Sequence, residues 1–590
     1  MNDYQAPVTD MMFALNDVFD APSHFAKWYP DKDLDESLIR AVLEEAGRFC
    51  REVLSPLNRP GDEHGCRFDK DLHAVSTPEG FREAYQQFVE AGWPSFTGPE
   101  SAGGQGMPKA LHMMIEEMLY GANTSFCLYP SLTSGAIHAL HLHANPDLVE
   151  IYLDKLVSGE WSGTMCLTEP HAGSDLGLLR TKAEPDGESY RITGTKIFIT
   201  GGEHDLTENI VHLVLARLPD APEGVKGISL FLVPKFLPTP VGKIGERNQV
   251  YCSSIEHKMG IKASSTCVMN FEQARGWLIG EPNKGLKYMF SMMNNERLSI
   301  GLQGIGLAER SWQTAVRYAT ERLQGRSPLV NETAPHPIVA HPDVRRMLLW
   351  MQSFVEVARL SAVMVGLKYD ASLHGDDAER TVASDWVAFL TPVAKAFWTD
   401  MGFASVNLGV QVLGGHGYIR EWGQEQCVRD LRIAQIYEGT NGIQAMDLIG
   451  RKVLADSGHK FKLFADWVDQ ILANSSASNA YRERLSAAHE QLKQITTWLI
   501  QEAQKRPALP GAVANDYLHF VGWIWFGALW LHTLDRLDRS SCLSPDGKEK
   551  KRILAKFFFE RMFPCVNGLV EAIYAGEESV LNCPNEWFDR

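Results

Sequence analysis

The spacing of apolar positions divides the chain into blocks. From about residue 36 to 160 the spacing is helical, as in DESLIRAVLEEAGRFCREVLSPL, where Leu38, Val42, Ala46 and Phe49 fall on one face. From about 161 short β-branched and aromatic runs take over: YRITG, TKIFIT, NIVHLVLARL, KGISLFLVPKF and TCVMNFE, separated by Gly, Asp and Pro. No helices lie between these runs to build a parallel sheet, so a mostly antiparallel β-domain is expected, with an ordinary hairpin around Thr193-Gly194. Near 285 the helical period returns, and Ile305, Ala308, Trp312, Ala315 and Ala319 line one long helix. Phe403, Val406, Val410 and Leu413 form a further face that stops at Gly414-Gly415, where glycine can end a helix. After Lys452 the composition turns polar, and helical spacing resumes at Leu485, Ala488, Leu492, Ile495 and Leu499. The expected class is α+β, mainly α. The expected units are an N-terminal extension (1–35), a helical domain (36–160), a middle antiparallel β-domain (161–284), a second helical bundle (285–455) and a C-terminal helical extension (456–590).

A chain of 590 residues, 45% hydrophobic and 22% charged, can fill several cores, and no long segment reads as disordered. Its net charge of -16 excludes a nucleic-acid binder, since neutralising phosphates needs a basic surface, and an anionic ligand would need local cations. The ten cysteines form no CxxC pair, so reduced core thiols are expected. Asp3, Asp10, Asp17 and Asp20 precede the first basic residue, Lys27, which fits no targeting peptide and points to the cytoplasm. FVGWIWFGALWL (520–531) falls short of the ~20 residues a membrane span requires and reads as a buried helix. KEKKR (548–552) reads as a solvated face.

GLQGIG (301–306) lies inside a helix with the dinucleotide fingerprint reversed, so close helix packing explains its glycines. No phosphate-binding loop, HExxH or GxSxG elbow occurs. His138, His141 and His143 lack a carboxylate at ligand spacing; they read as helix-surface histidines, and no metal is expected.

A set of motifs in fixed order carries the chemistry: MCLTEPHAGSDLG (165–177), KIFITGG (196–202), ERLQGR (321–326), QVLGGHGY (411–418) and YEGTNGIQ (437–444). Together they resemble the acyl-CoA dehydrogenase family over about residues 40 to 452, and the wording and long C-terminal region are similar to its bacterial long-form members. The resemblance implies a helical–β–helical core, bound FAD and α,β-dehydrogenation of an acyl-CoA thioester. Met165, Leu167 and Thr168 would meet the polar edge of the flavin, and Phe198 and Thr200 would flank it. Arg322 and Gln324 would reach the pyrophosphate of a neighbouring subunit's flavin, which implies a homo-oligomer, most simply a dimer. Gln411, Gly414 and Gly415 would lie along the dinucleotide, and Thr440 would contact FAD. Ser174 would meet the pantetheine arm and Arg297 would sit near CoA.

Glu438 would be the α-proton base, with Gly439 leaving room for the acyl chain. Its own N–H and a flavin ribityl hydroxyl would hold the thioester carbonyl. Glu296, in NNERLSIG, stands where some members carry their base; since Glu438 is present, Glu296 is expected to turn away and pair with an arginine. An electron-transferring flavoprotein would be the acceptor. An oxidase using O2 and a catalytically silent scaffold are the competing readings. Medium- or long-chain fatty acyl-CoA and 3-methylthiopropionyl-CoA are all candidate substrates, with the acyl pocket lined by Tyr120 to Ser134.

Overall fold

The computed structural model describes residues 4–239, 242–327 and 335–589. Helix α1 (Glu36–Phe49) starts where Asp35 accepts a hydrogen bond from the Leu38 N–H at 2.8 Å. Ala46 and Phe49 are buried as expected, but in the first two turns Ile39 and Leu43 take the places of Leu38 and Val42, and Leu38 is exposed. Ile39 and Leu43 lie about 100° of helix rotation from Leu38 and Val42, and the bulkier pair wins because it removes more apolar surface from water.

The centre is a bundle of α2 (Lys109–His143), α3 (Gly285–Glu321), α4 (Pro342–His374) and α5 (Asp377–Leu413). The glycines of GLQGIG permit the expected close packing: a Cβ on Gly301 would lie 2.6 Å from the Trp398 ring, and one on Gly306 would lie 2.5 Å from the Glu117 carbonyl. Arg359 of α4 ties three of these helices, pairing with Glu117 at 2.5 Å and Glu309 at 2.8 Å, all buried. Helix α2 breaks at Asn123 (φ −157°), whose side chain then accepts from the Phe126 N–H at 3.1 Å and so caps the second half.

The main sheet of the β-domain has seven strands, β1 (Trp161–Cys166), β2 (Lys182–Asp186), β3 (Ser189–Thr200), β4 (Asn209–Arg217), β5 (Ile228–Pro234), β6 (Val250–Ile255) and β7 (Thr266–Ile279), and Phe236–Pro238 pairs with Ile244–Arg247 beside it. Strands β7, β3, β2, β4 and β5 close a ring, while β6 adds to β7 and β1 to β4. Most pairs are antiparallel as expected, but β1 runs parallel to β4, and β2 meets β4 in parallel at Lys182 and Arg217. The expected hairpin at Thr193-Gly194 is absent; both residues lie inside the continuous β3, paired with β2 and β7. Gly194 serves close approach instead, since a Cβ there would sit 2.4 Å from the Thr181 Oγ1.

In the C-terminal region, α6 (Asn479–Glu502), α7 (Leu509–Leu537) and α8 (Pro545–Phe557) follow the bundle. Helix α7 carries the FVGWIWFGALWL run and is buried nearly all round, its Gly522 pressed on Phe397 and its Trp525 stacked 6.0 Å from Trp398. KEKKR is not a uniformly solvated face. Lys551 is buried and donates to Asp10 at 2.6 Å and to Glu356, locking the N-terminal segment and α8 onto α4. Among the described residues one helix, Pro342–His374, is long and apolar enough to cross a membrane, and it is mostly buried in the bundle.

Candidate active site

The turn that carries Glu438 is built against its own backbone preferences. Glu438 (φ 56°) and Gly439 (φ 82°) are consecutive left-handed residues, costing a non-glycine residue about 1–2 kcal/mol. Three side chains hold the turn. Lys395 of α5, fully buried, donates to the Gly439 carbonyl at 2.8 Å and to Asn441 Oδ1 at 2.9 Å. Gln444 donates to the Glu438 carbonyl at 3.1 Å. Tyr437 donates to Gln303 Oε1 of α3 at 2.5 Å. The Thr440 hydroxyl accepts from the Ile443 N–H at 3.2 Å and starts the helix Asn441–Met446, a capping role beside its expected flavin contact. Gly439 has a packing reason of its own, because a Cβ would fall 2.7 Å from Gln444 Nε2.

The Glu438 carboxylate has no hydrogen bond or ion pair among the described residues. Burial pushes it up to about 7, against the pull of the Arg297 and Lys395 charges. Arg297 lies beside this turn, pairing with Asp447 at 3.6 Å and stacked over Phe290, and it is 5% exposed. Burial likewise pushes Lys395 down to about 7, although Glu438 and Asp400 favour its charge. Lys395 is the residue sequence reasoning missed. Inside an apolar helix pattern, a buried lysine in TPVAKAF was the available signal.

Glu296 does not turn away to an arginine. It is 1% exposed, with only long contacts to Ser131 Oγ at 3.4 Å and Asn295 Nδ2 at 3.5 Å, and a Cβ on Gly135 would lie 2.9 Å from its Oε1. Burial first, then the Glu438 charge, raises it well above the carboxylate range, so Glu296 is the neutral member when Glu438 is ionised. Its surroundings lie in or next to the Tyr120–Ser134 segment. A cavity of about 580 Å³ shares Asn295 with Glu296 and is further lined by Lys109, Ser134, His138 and Tyr369. His138 is therefore no helix-surface histidine; burial pushes it down to about 4.

The other expected residues fall into two groups. The first joins the ends of β1 and β3: the Ile197 N–H donates to the Thr168 carbonyl at 2.9 Å, and Lys196 Nζ donates to the Leu167 carbonyl at 2.9 Å. Met165, Leu167, Thr168, Phe198 and Thr200 are thereby brought to one sheet end. Helix α2 packs on the same strand β1, where Thr133 accepts from the Gly163 N–H at 3.1 Å. The second group joins the end of α3 to the turn after α5 through Tyr318 and His416, 2.9 Å apart. Arg322, Gln324, Gln411, Gly414 and Gly415 are all exposed there, and Arg322 has no ion pair among the described residues. Ser174 is exposed in the loop before β2. A flavin dinucleotide fits these groups. Phe198 is 59% exposed on left-handed backbone (φ 59°), an aromatic face held out of the core, and the space around Gly414 and Gly415 is open.

This fold, with a carboxylate on a strained turn held against α3 and α5, defines a class: the chain belongs to the acyl-CoA dehydrogenase family and is an FAD-dependent oxidoreductase. The family models for the N-terminal, middle and C-terminal acyl-CoA dehydrogenase domains match residues 38–160, 164–274 and 283–454, and a model described as acetyl-CoA dehydrogenase C-terminal like matches 464–584. Among curated relatives, the chain is 47% identical over 525 residues to 3-methylmercaptopropionyl-CoA dehydrogenase of Ruegeria pomeroyi, covering 88% of this chain and 89% of that one. Among solved structures, Caenorhabditis elegans ACDH-11 in complex with C11-CoA matches at TM-score 0.81 and 20% identity, covering 100% of this chain and 96% of that one. A Bacillus anthracis acyl-CoA dehydrogenase complexed with FAD matches at TM-score 0.75 and 21% identity, over 92% of this chain and 89% of that one.

Proposed function

We propose that the protein desaturates an acyl-CoA thioester between Cα and Cβ, with Glu438 as the base that takes the α-proton. The observation that carries this reading is the Glu438 carboxylate, without a hydrogen-bond partner among the described residues and raised by burial to about 7, where a carboxylate is basic enough to accept a proton from carbon. Arg297 and Lys395 keep it from rising further, so that it is substantially ionised near neutrality. Among the described residues the Glu438 N–H has no acceptor, which leaves it for the thioester carbonyl, whose polarisation acidifies the α-carbon. FAD, when bound, supplies the two-electron acceptor for the hydride leaving Cβ. Met165, Leu167, Thr168, Phe198, Thr200 and Thr440 would hold its ring. Arg322, Gln324, Gln411, Gly414 and Gly415 would hold the dinucleotide, Arg322 and Gln324 acting on that of a second subunit in a dimer. Ser174 and Gly439 would line the substrate path. Arg297, buried against Asp447, would act on the Glu438 turn more than on CoA.

The likeness to 3-methylmercaptopropionyl-CoA dehydrogenase supports 3-methylthiopropionyl-CoA as substrate beside fatty acyl-CoA. In this reading the enzyme is cytoplasmic and passes its electrons to an electron-transferring flavoprotein. The test is rapid mixing of the FAD-loaded protein with 3-methylthiopropionyl-CoA and with short-, medium- and long-chain thioesters, following flavin bleaching. Glu438→Gln should abolish bleaching at unchanged flavin content, and Glu296→Gln should not. Bleaching lost only in Glu296→Gln would transfer the base to Glu296. Peroxide released during turnover would mark an oxidase, and no bleaching by any thioester a silent scaffold.

A further inference from the structure

Beyond the base itself, the structure joins the catalytic turn to the C-terminal extension through an unbroken chain of hydrogen bonds. His519, on α7 of the extension, lies 2.8 Å from Asp400 Oδ2 on α5. Asp400 Oδ1 accepts from Asn441 Nδ2 and from Gln435 Nε2, each at 2.7 Å. Asn441 in turn accepts from Lys395 Nζ at 2.9 Å, and Lys395 donates to the Gly439 carbonyl at 2.8 Å. Gln435 and Asn441 bracket the turn on either side of Glu438, so Asp400 clamps both its ends. Thr399 at 2.9 Å completes the amide of Asn441. Lys395, Thr399 and Asn441 are all buried.

The extension is seated for this role. Gly522, one turn on from His519, lets α7 approach so closely that a Cβ there would fall 2.5 Å from the Phe397 ring, and His519 meets the same ring edge-on at 5.5 Å. Four titratable groups face the chain: Glu438 and Arg297 face Lys395, His519 faces Asp400, and Asp516 of α7 faces His519. Although burial alone would raise Asp400, His519 holds it below its ordinary value. Asp400 therefore stays an acceptor for both ends of the turn at neutral pH.

We propose that the C-terminal extension positions the catalytic turn, with His519 as a positioning residue that orients Asp400 and, through Asn441 and Lys395, holds Glu438 and Gly439 in their left-handed conformation. The proposal rests on Glu438 being the base only for its effect on turnover; the geometric coupling stands apart from it.

Amide hydrogen exchange on the FAD-loaded full chain tests that coupling without any substrate. His519→Phe and Asp400→Asn should raise exchange of residues 436–444 by roughly 5- to 30-fold, as expected for one lost buried polar contact. Exchange in the β-domain and in α4 should stay unchanged, and His519→Gln, which keeps a donor, should restore most of the protection. Turnover on the best thioester of the panel should fall in His519→Phe with little change in KM. Unchanged exchange at 436–444 in both variants would overturn the proposal. So would loosening spread evenly over the chain, which marks a role in stability alone. If the turn loosens as expected while Glu438→Gln still bleaches, the coupling holds and the assignment of the base fails.

Discussion

Glu438→Gln makes a prediction that needs no substrate at all. The native structure moves this carboxyl from its ordinary 4.5 to about 7, so ionising it costs more in the folded than in the unfolded chain. At 1.36 kcal/mol per pH unit, the penalty reaches about 3 kcal/mol at pH 8, where both states are mostly ionised, and is about 1 kcal/mol at pH 5. Below 4.5 both states are protonated and the penalty vanishes. A glutamine of the same shape carries no charge at either pH. The Gln variant should therefore be more stable than the wild type by about 3 kcal/mol at pH 8, with the gain shrinking toward pH 5, while bleaching by thioester falls by roughly 10²- to 10⁴-fold. The assay is denaturant unfolding of the FAD-loaded proteins, followed by far-UV circular dichroism at both pH values, with flavin content matched. A Gln variant that is no more stable at pH 8, or equally stabilised at both pH values, would show that burial does not strain this carboxylate and would remove the physical basis for its basicity.

Four other outcomes follow from the same geometry. The wild-type kcat/KM for bleaching should rise about tenfold per pH unit below pH 7 and level off above it, because the base works ionised; a flat profile from pH 5.5 to 8.5 would contradict this. Lys551→Met should destabilise the protein by about 3–5 kcal/mol, read by denaturant unfolding, because it leaves buried Glu356 with only the longer 3.9 Å pair to Arg359 among the described residues and frees Asp10 from α8. Gly194→Ala should cost about 1–3 kcal/mol by the same measurement, since the new methyl on β3 meets Thr181, just ahead of β2. Arg322→Ala should weaken FAD retention by roughly 10- to 100-fold in dialysis against apoprotein, with little change in unfolding, as the side chain is exposed and has no ion pair among the described residues.

Periodicity and turn residues were legible along the chain because they are local. The switch from a 3.6-residue to a two-residue period, the stop at Gly414 and the apolar stripe from Leu485 to Leu499 each follow from neighbours a few positions apart, and the structure has them. The same locality misled at Gly194, where a glycine between two short β-runs has the look of a turn. There the deciding neighbour, Thr181, stands just before another strand, β2.

What the sequence determined by itself was therefore the order of helical and β blocks and, through five motifs in register, the family and the carboxylate at 438. Only the tertiary structure decided the partners of charges. Glu296 was left without an arginine, Lys551 was drawn under α4, Arg297 was tied to Asp447, and Lys395 was placed beneath the turn with His519 behind it. The reason is physical: helix and strand formation answer to contacts a few residues away, whereas the energy of a charge depends on what excludes water from it, and those groups come from 40 to 200 residues away or more.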